Sequence, residues 1–294
     1  MKKFSKAVCI IASIMLGAGI LLAFIGFISG AKTSIYFDFK NGISLASQSE
    51  PFVYENYELE NIDEIYIDVS NASLRIEPSD NGKFGIRVNY GSFTETPDVN
   101  TSGGRISVKE KEQHAIGILN IISLWQIFSE GNSITLYIPV SGTAELASFT
   151  FRSDNGSIVS DTPLTTSELD LKTSNGSVNI SKMTVRQSAL VKTSNGAIIC
   201  GGAFYGSSEF KTSNGRIELS GNLSGSISLK TSNGSITVNA DKPQTSYGIH
   251  ADTSNGSIKI NDNKLSDEYT IAAPGADSIT AKTSNGSINL YFEN

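Results

Sequence analysis

The string "KTSNGS" occupies residues 172–177, 230–235 and 282–287, and close variants stand at four other places. Polar surface drifts freely in sequence, so a repeated polar string marks a position that tolerates little else. Counted by the asparagine, the motif falls at Asn155, Asn175, Asn195, Asn214, Asn233, Asn255 and Asn285, with spacings of 20, 20, 19, 19, 22 and 30. A period near 20 residues signals stacked structural repeats. The flanks alternate, with Leu169-Asp170-Leu171-Lys172-Thr173 before one copy and Val178-Asn179-Ile180 after it. Alternation at a period of two predicts strands.

Two architectures compete for this pattern. Asn-Gly between alternating runs is a strong hairpin signal, because both residues accept the positive φ of a type I′ turn. Propeller blades made of such hairpins need about 40–45 residues each, twice this period. A hairpin turn also gives no reason for Lys-Thr-Ser ahead of Asn-Gly. A parallel β-solenoid, an all-β fold with coils of about 20 residues, supplies one: each coil lies about 4.8 Å above the last, so equivalent residues stack on their own copies. Thr173, Thr193, Thr212, Thr231, Thr253 and Thr283 are then predicted to form one inward ladder. The seven asparagines are predicted to form a buried file in which each amide donates to one neighbour and accepts from the other. Glycine is expected to free the backbone to turn at the corner. Apolar residues recur at fixed offsets: Phe151, Leu171, Val191, Phe210, Leu229, Ala251 and Ala281 before the corner, and Ile158, Val178, Ile198, Ile217, Ile236, Ile258 and Ile288 after it. These are the candidate core.

Upstream, the repeat degenerates. "IYIDVSNASLRIEP" (65–78) keeps the strand, Ser-Asn corner and strand, and "NGKFGIRV" (81–88) reads as its continuation. "SGGRISVKE" and "NSITLYIPV" give further strands, and the irregular stretch 34–60 is expected to cap the stack against further pairing. Residues 57–294 form the predicted solenoid, regular from 146 onward, with 31–56 as linker and cap. Residues 1–6 are a basic tip carrying Lys2, Lys3 and Lys6, followed by an uncharged run over 7–30. About 20 apolar helical residues span a bilayer, whereas a cleavable signal has an apolar region of only about 7–15, so 7–30 is expected to be a retained transmembrane signal-anchor. Ser29-Gly30-Ala31 offers a competing, weak cleavage site. The flanking lysines place 31–294 outside the cytoplasm, in a single-pass protein of the cell membrane.

Without Lys2, Lys3 and Lys6, 20 basic residues face 29 acidic ones, a net charge of −9 on the exported part. That balance argues against a nucleic-acid partner, which needs a basic footprint. Cys9 lies in the apolar run and Cys200 alone follows it, so no disulfide within the exported part is available. The match of several asparagines to the glycosylation sequon is a by-product of the Asn-Gly-Ser repeat.

"IDEIYIDVSNASLRIEPSD" (62–80), "SITLYIPVSGTAELASFTFRSDNGSI" (133–158) and the repeated "KTSNGSI" resemble the bacterial putative-adhesin domain family. The likeness covers about 57–290 and extends to the basic-plus-apolar N-terminus. It implies a β-solenoid and a place at the cell envelope, sometimes beside envelope-stress systems, and it carries over no catalytic or binding residue.

The residues themselves offer little chemistry. Carbohydrate-cutting solenoids need carboxylates converging on one groove, whereas Asp170, Glu209, Glu218, Lys259 and His250 fall on different coils. His114 and His250 are too few for a multi-histidine metal site, and Asp262, Asp267 and Glu268 lack the spacing of a calcium loop. No cofactor or metal is therefore expected. Cys200 reads as a small buried hydrophobe, and Tyr205, Phe204, Tyr247 and Trp125 share no outward column. Residues 115–128, "AIGILNIISLWQIF", are too short to span a membrane and read as a buried cap helix or an interfacial one. One outward column remains: Arg152, Lys172, Lys192, Lys211, Lys230 and Lys282 share a slot beside the threonines. Within it, Lys172, Lys192, Lys211 and Lys230 form a candidate stripe for an anionic cell-wall polymer. The expected function is a non-enzymatic, adhesin-like binding or structural role at the envelope. The alternatives are an envelope-stress accessory signalling through its membrane segment to an envelope membrane protein and, ranked last, an enzyme acting on wall glycans.

Overall fold

The structure, a computed structural model, describes residues 3–28, 34–38, 42–46, 51–91, 96–110, 115–120, 131–140, 145–272 and 275–293. The chain divides into two compact units. One gathers 1–50, 92–94 and 112–130; the other gathers 51–91, 95–111 and 131–294.

In the first unit the helix Lys3–Ile28 is followed by an antiparallel three-stranded sheet with Ser34–Asp38 between Gly42–Ala46 and Ala115–Asn120. The helix expected over 115–128 is thus a strand in its described part. Ala115-Ile116-Gly117-Ile118 alternates at a period of two, Gly117 disfavours helix, and Ser34–Asp38 offers a ladder to pair with. Residues 121–128, including Trp125, lie outside the described residues, as does His114. Among the described residues no helix is long and apolar enough to cross a membrane.

The second unit is mostly strand, joined into one long, non-closed sheet of parallel rungs. Its register repeats the motif spacing: Leu171 pairs with Phe151 and Val191, Val191 with Phe210, and Phe210 with Leu229. The strands after the corner do the same through Ile158, Val178, Ile198, Ile217 and Ile236. All the apolar slots predicted around the corner are buried, from Phe151 to Ala281 and from Ile158 to Ile288. Alternation at a period of two sends these side chains into one continuous core and their neighbours outward.

Rung order departs from sequence order at both ends. Glu64–Asp68 and Ser73–Pro78 stack directly on the coil of 148–160, skipping everything between. Beneath them Arg105–Lys109 and Ser133–Ile138 pair in parallel, and the stack then closes with antiparallel strands: Asp98–Asn100 on one face, Phe84–Tyr90 and then Phe52–Leu59 on the other. The expected continuation at 81–88 is therefore an antiparallel capping strand. Of the expected cap at 34–60, only Phe52–Leu59 belongs to this sheet. At the far end the final coil, Ser278–Thr283 and Ile288–Phe292, sits between Ser226–Lys230 with Ile236–Ala240 and Gly248–Thr253 with Ile258–Ile260. Between the last two motif copies lie two antiparallel end strands, Asn263–Leu265 and Glu268–Ile271. Asn261 and Asp262, both at positive φ, make the two-residue turn into the first of these.

Candidate functional site

The corner that carries the repeat is built from four side-chain directions. Lys172 points outward, Thr173 inward, Ser174 and Asn175 outward again, and Gly176 is buried. Each threonine hydroxyl donates to the glycine carbonyl one rung below, as in Thr173 to Gly156 at 2.9 Å and Thr193 to Gly176 at 2.9 Å. The same oxygen accepts the N–H of its own coil's glycine, Gly176 to Thr173 and Gly196 to Thr193, both at 3.1 Å. In these coils threonine thereby satisfies two buried backbone groups that no ladder reaches. The corner glycines hold ordinary negative φ; among the described residues the positive-φ glycines lie elsewhere. What requires glycine here is contact between rungs. A Cβ on Gly176 would collide with the carbonyl of Gly156, and one on Gly196 with that of Gly176, far inside 3.0 Å. The expectation of a conformational role for this glycine is thus corrected to a steric one.

The asparagines form a continuous chain of amides. Asn155 donates to Asn71, Asn175 to Asn155, Asn195 to Asn175, Asn214 to Asn195, Asn233 to Asn214, Asn285 to Asn233 and Asn255 to Asn285, at 2.5 to 2.9 Å. Asn285 precedes Asn255 in this order because the last coil is inserted. The file is not buried: every one of these side chains is exposed. Threonine and glycine take the inward directions at the corner, which leaves asparagine the outward one. Each Asn spends one Nδ2–H and one Oδ1 lone pair on its neighbours, leaving the second of each directed to solvent.

Exposure lowers the cost of breaking the file. A solvent-facing hydrogen bond contributes about 0.5–1.5 kcal/mol net, because water repairs the lost partners. Asn195→Ala should therefore lower stability by roughly 1–2 kcal/mol for its two amide bonds, and Ser194→Ala by less than about half a kcal/mol, as an ordinary surface change. Urea denaturation of both variants measures this, and equal losses would show that the amide file contributes nothing.

Beside the asparagines runs the basic column. The register places Arg152 next to Lys172, then Lys192, Lys211, Lys230 and Lys282 in succession. Like charges about 4.8 Å apart repel, and acidic residues in the neighbouring outward slot relieve part of this. Asp170 holds Arg152 at 3.1 Å and Lys172 at 2.9 Å, Glu209 holds Lys192 at 3.1 Å, and Asp252 lies 3.9 Å from Lys282. Lys211 and Lys230 are exposed and, among the described residues, have no carboxylate within 4.0 Å. The column is thus two adjacent free cations flanked by neutralised ones, a distinction invisible in the repeat.

The remaining candidates separate. Asp170, Glu209 and Glu218 each pair with a cation, Glu218 with Arg216, and none with another carboxylate. His250 meets Thr270 at 3.0 Å. Among the described residues no group of His, Cys, Asp and Glu could hold a metal ion. Cys200 is buried, and desolvation pushes its thiol up to about 12, so it remains a protonated, unreactive hydrophobe. Phe204 and Tyr247 lie in the core, where the Tyr247 hydroxyl donates to the Leu223 carbonyl at 2.9 Å.

Several structural residues escaped the sequence reading. Glu110 accepts the Ser70 N–H at 2.9 Å where the next rung's carbonyl would otherwise stand, which closes the corner at one end of the stack. Gly221 lies against Gly202 and Gly225 against Gly206, all at positive φ, at a second corner shared by two coils. Their recurrence at a spacing of 19 was the available signal.

The family model described as Toastrack DUF4097 matches residues 62–277. A crystal structure titled a putative adhesin from Bacteroides fragilis aligns at 14% identity and TM-score 0.45, covering 83% of this chain and 97% of that one. A putative cell adhesion protein from Clostridium sporogenes aligns at 10% identity and TM-score 0.34, covering 83% and 100%. A putative lipid binding protein from Parabacteroides distasonis aligns at 14% identity and TM-score 0.32, covering 83% and 97%. The comparison with curated proteins finds no match.

Proposed function

The chain belongs to the Toastrack DUF4097 family, and on that premise we propose that it is a membrane-anchored, extracytoplasmic, non-enzymatic binding protein whose basic column engages an anionic polymer of the cell envelope. The helix Lys3–Ile28 supports the anchor. Its described large side chains, among them Ile11, Ile14, Met15, Leu16, Ile20 and Leu21, are exposed on every side of the helix. A helix that is apolar all round is stable only when covered, by lipid or by protein. The lysines that precede the apolar run orient the rest of the chain outward.

The observation that carries the binding reading is the in-register basic column with Lys211 and Lys230 left unpaired. Net charge is unfavourable for a polyanion, so the attraction must be local, short-ranged and sensitive to salt. Sedimentation of the protein with purified cell walls tests it. Changing Lys172, Lys192, Lys211 and Lys230 together to glutamine should abolish co-sedimentation and leave the fold intact, since all four side chains face outward. Lys211→Gln with Lys230→Gln should account for most of the loss, roughly tenfold to thirtyfold at about 1 kcal/mol per lysine facing an anionic surface. Lys172→Gln with Lys192→Gln should cost much less, because those charges are already answered. Equal sedimentation of wild type and the fourfold variant would end the proposal.

A further inference from the structure

The inserted last coil creates a feature the repeat does not announce. Two coils consecutive in sequence, 226–240 and 248–260, form no ladder with each other. Between them is a slot one rung wide, filled by 278–292. On one wall the Thr231 N–H donates to the Lys282 carbonyl at 3.0 Å, the Asn285 N–H to the Ser232 carbonyl at 2.8 Å and the Ile236 N–H to the Ser287 carbonyl at 2.9 Å. On the other, Asn255 N–H donates to Ser284 at 2.8 Å and Ile288 to Ser257 at 2.9 Å. Ile279, Ala281, Ile288 and Leu290 complete the core across both walls.

We propose that this coil is exchangeable, and that 278–292 of one molecule can fill the slot of a second copy. Every bond that seats the coil is a rung-to-rung bond or a side-chain contact with the walls, so a foreign copy makes the same set. The segment that joins the coil to its own molecule is slight: Ala272, Gly275 and Ala276 are exposed. A latch travels with the coil. The Asp277 carboxylate accepts the Gly225 N–H at 2.7 Å and Lys242 at 2.8 Å, both on the slot side. Burial alone would raise the pKa of Asp277; the two donors outweigh it and hold the group charged, below its ordinary value. In an exchanged pair the same carboxylate meets Gly225 and Lys242 of the acceptor. Exchange of an identical element between copies adds no new interface chemistry, and its extent is set by competition with the tethered coil. A short tether gives an effective concentration on the order of millimolar, so about a tenth of the chains exchange at roughly 0.1 mM. Copies crowded on one surface raise that share. The inference is independent of the polyanion reading.

Paired cysteines test it in the full-length chain carrying Cys9→Ser; Cys200 is buried and unreactive. Thr237 and Asn289 are register partners, as are Asn289 and Lys259. A chain with Thr237→Cys and a chain with Asn289→Cys are mixed, refolded together at roughly 0.1 mM in detergent and oxidised. A disulfide between the two chains should appear in about a twentieth of the molecules, because half of the exchanged tenth pairs like with like, and the Lys259→Cys pairing should give the same result. Glu218→Cys with Asn289→Cys, which are not neighbours, should give none. Deleting 272–275 leaves three Cα steps, at most about 11 Å. These must arch over the rung of Gly248–Thr253, so the shortened tether should push exchange toward completion. The proposal is overturned if doubly substituted single chains link internally while both mixed pairs, at either tether length, stay at the level of the control pair.

Discussion

Replacing Gly196 by alanine should destabilise the solenoid by about 3 kcal/mol or more, among the largest effects any single methyl group can have here. The added Cβ meets the carbonyl of Gly176 on the adjacent rung, and that atom belongs to a coil held by ladders on both sides. Relief requires the rungs to separate, which stretches the Thr193 bond to Gly176 and the Asn195 bond to Asn175. Gly201→Ala is the matched control: its nearest obstacle is the Ser220 hydroxyl at 3.1 Å, a side chain able to rotate away. That change should stay within about 1 kcal/mol of wild type, since alanine also lowers unfolded-state entropy. Thermal or urea unfolding of the two variants decides the point. Similar melting temperatures would mean that the corner glycine is present for its flexibility and that close rung contact is not what selects it.

The second large effect concerns the inserted coil. In a solenoid wound in sequence order, removing the last coil exposes a new end and leaves the rest paired. Here, ending the chain after Ile271 removes the filling between two coils and leaves both walls without partners. Ile279, Ile288, Leu290 and Phe292 are buried, and at about 1.5–3 kcal/mol each their loss approaches the whole stability of an ordinary domain. Residues 248–271 should become accessible to protease, and the melting temperature should fall by more than about 10 °C. A truncated protein that melts within a few degrees of the full chain would show that 248–260 docks directly on 226–240. The inserted order would then contribute nothing to stability.

Several features could be read from residue order because they depend on neighbours in the chain or on exact repetition. Alternation marked the strands, and the period near 20 marked the stacking. The recurrence of Leu171, Val191, Phe210 and Leu229 at one offset identified the core without any knowledge of three-dimensional contacts. The column of Lys172, Lys192, Lys211 and Lys230 followed from the same arithmetic, and the register places those residues side by side. Stacking at constant period converts a one-dimensional spacing into a spatial contact, which is why so much was legible in this chain.

What stayed hidden depends on direction, and on partners that repetition does not rank. Asparagine and threonine are both polar and both recur from coil to coil, with Ser153 in the threonine slot of the first, so both were expected to face inward; only the threonines do. The threonine hydroxyl can serve a donor and an acceptor of the backbone from a short side chain, and it took the buried place, leaving the amide file to solvent. Rung order was hidden for the same reason. Copies at 226–235, 248–257 and 278–287 are so alike that each could stack on either of the others. The choice rests on contacts outside the motif: Asp277 with Gly225 and Lys242, Tyr247 against Phe292, and the strands of 263–271 covering the outermost coil. Local pattern and period thus settled that this protein is a stack of parallel β-coils and which residues line its core. Only packing in three dimensions settled the order of the coils, the exposure of the asparagines and which two lysines are left without an opposing charge, because those depend on residues far apart in the chain competing for the same neighbours.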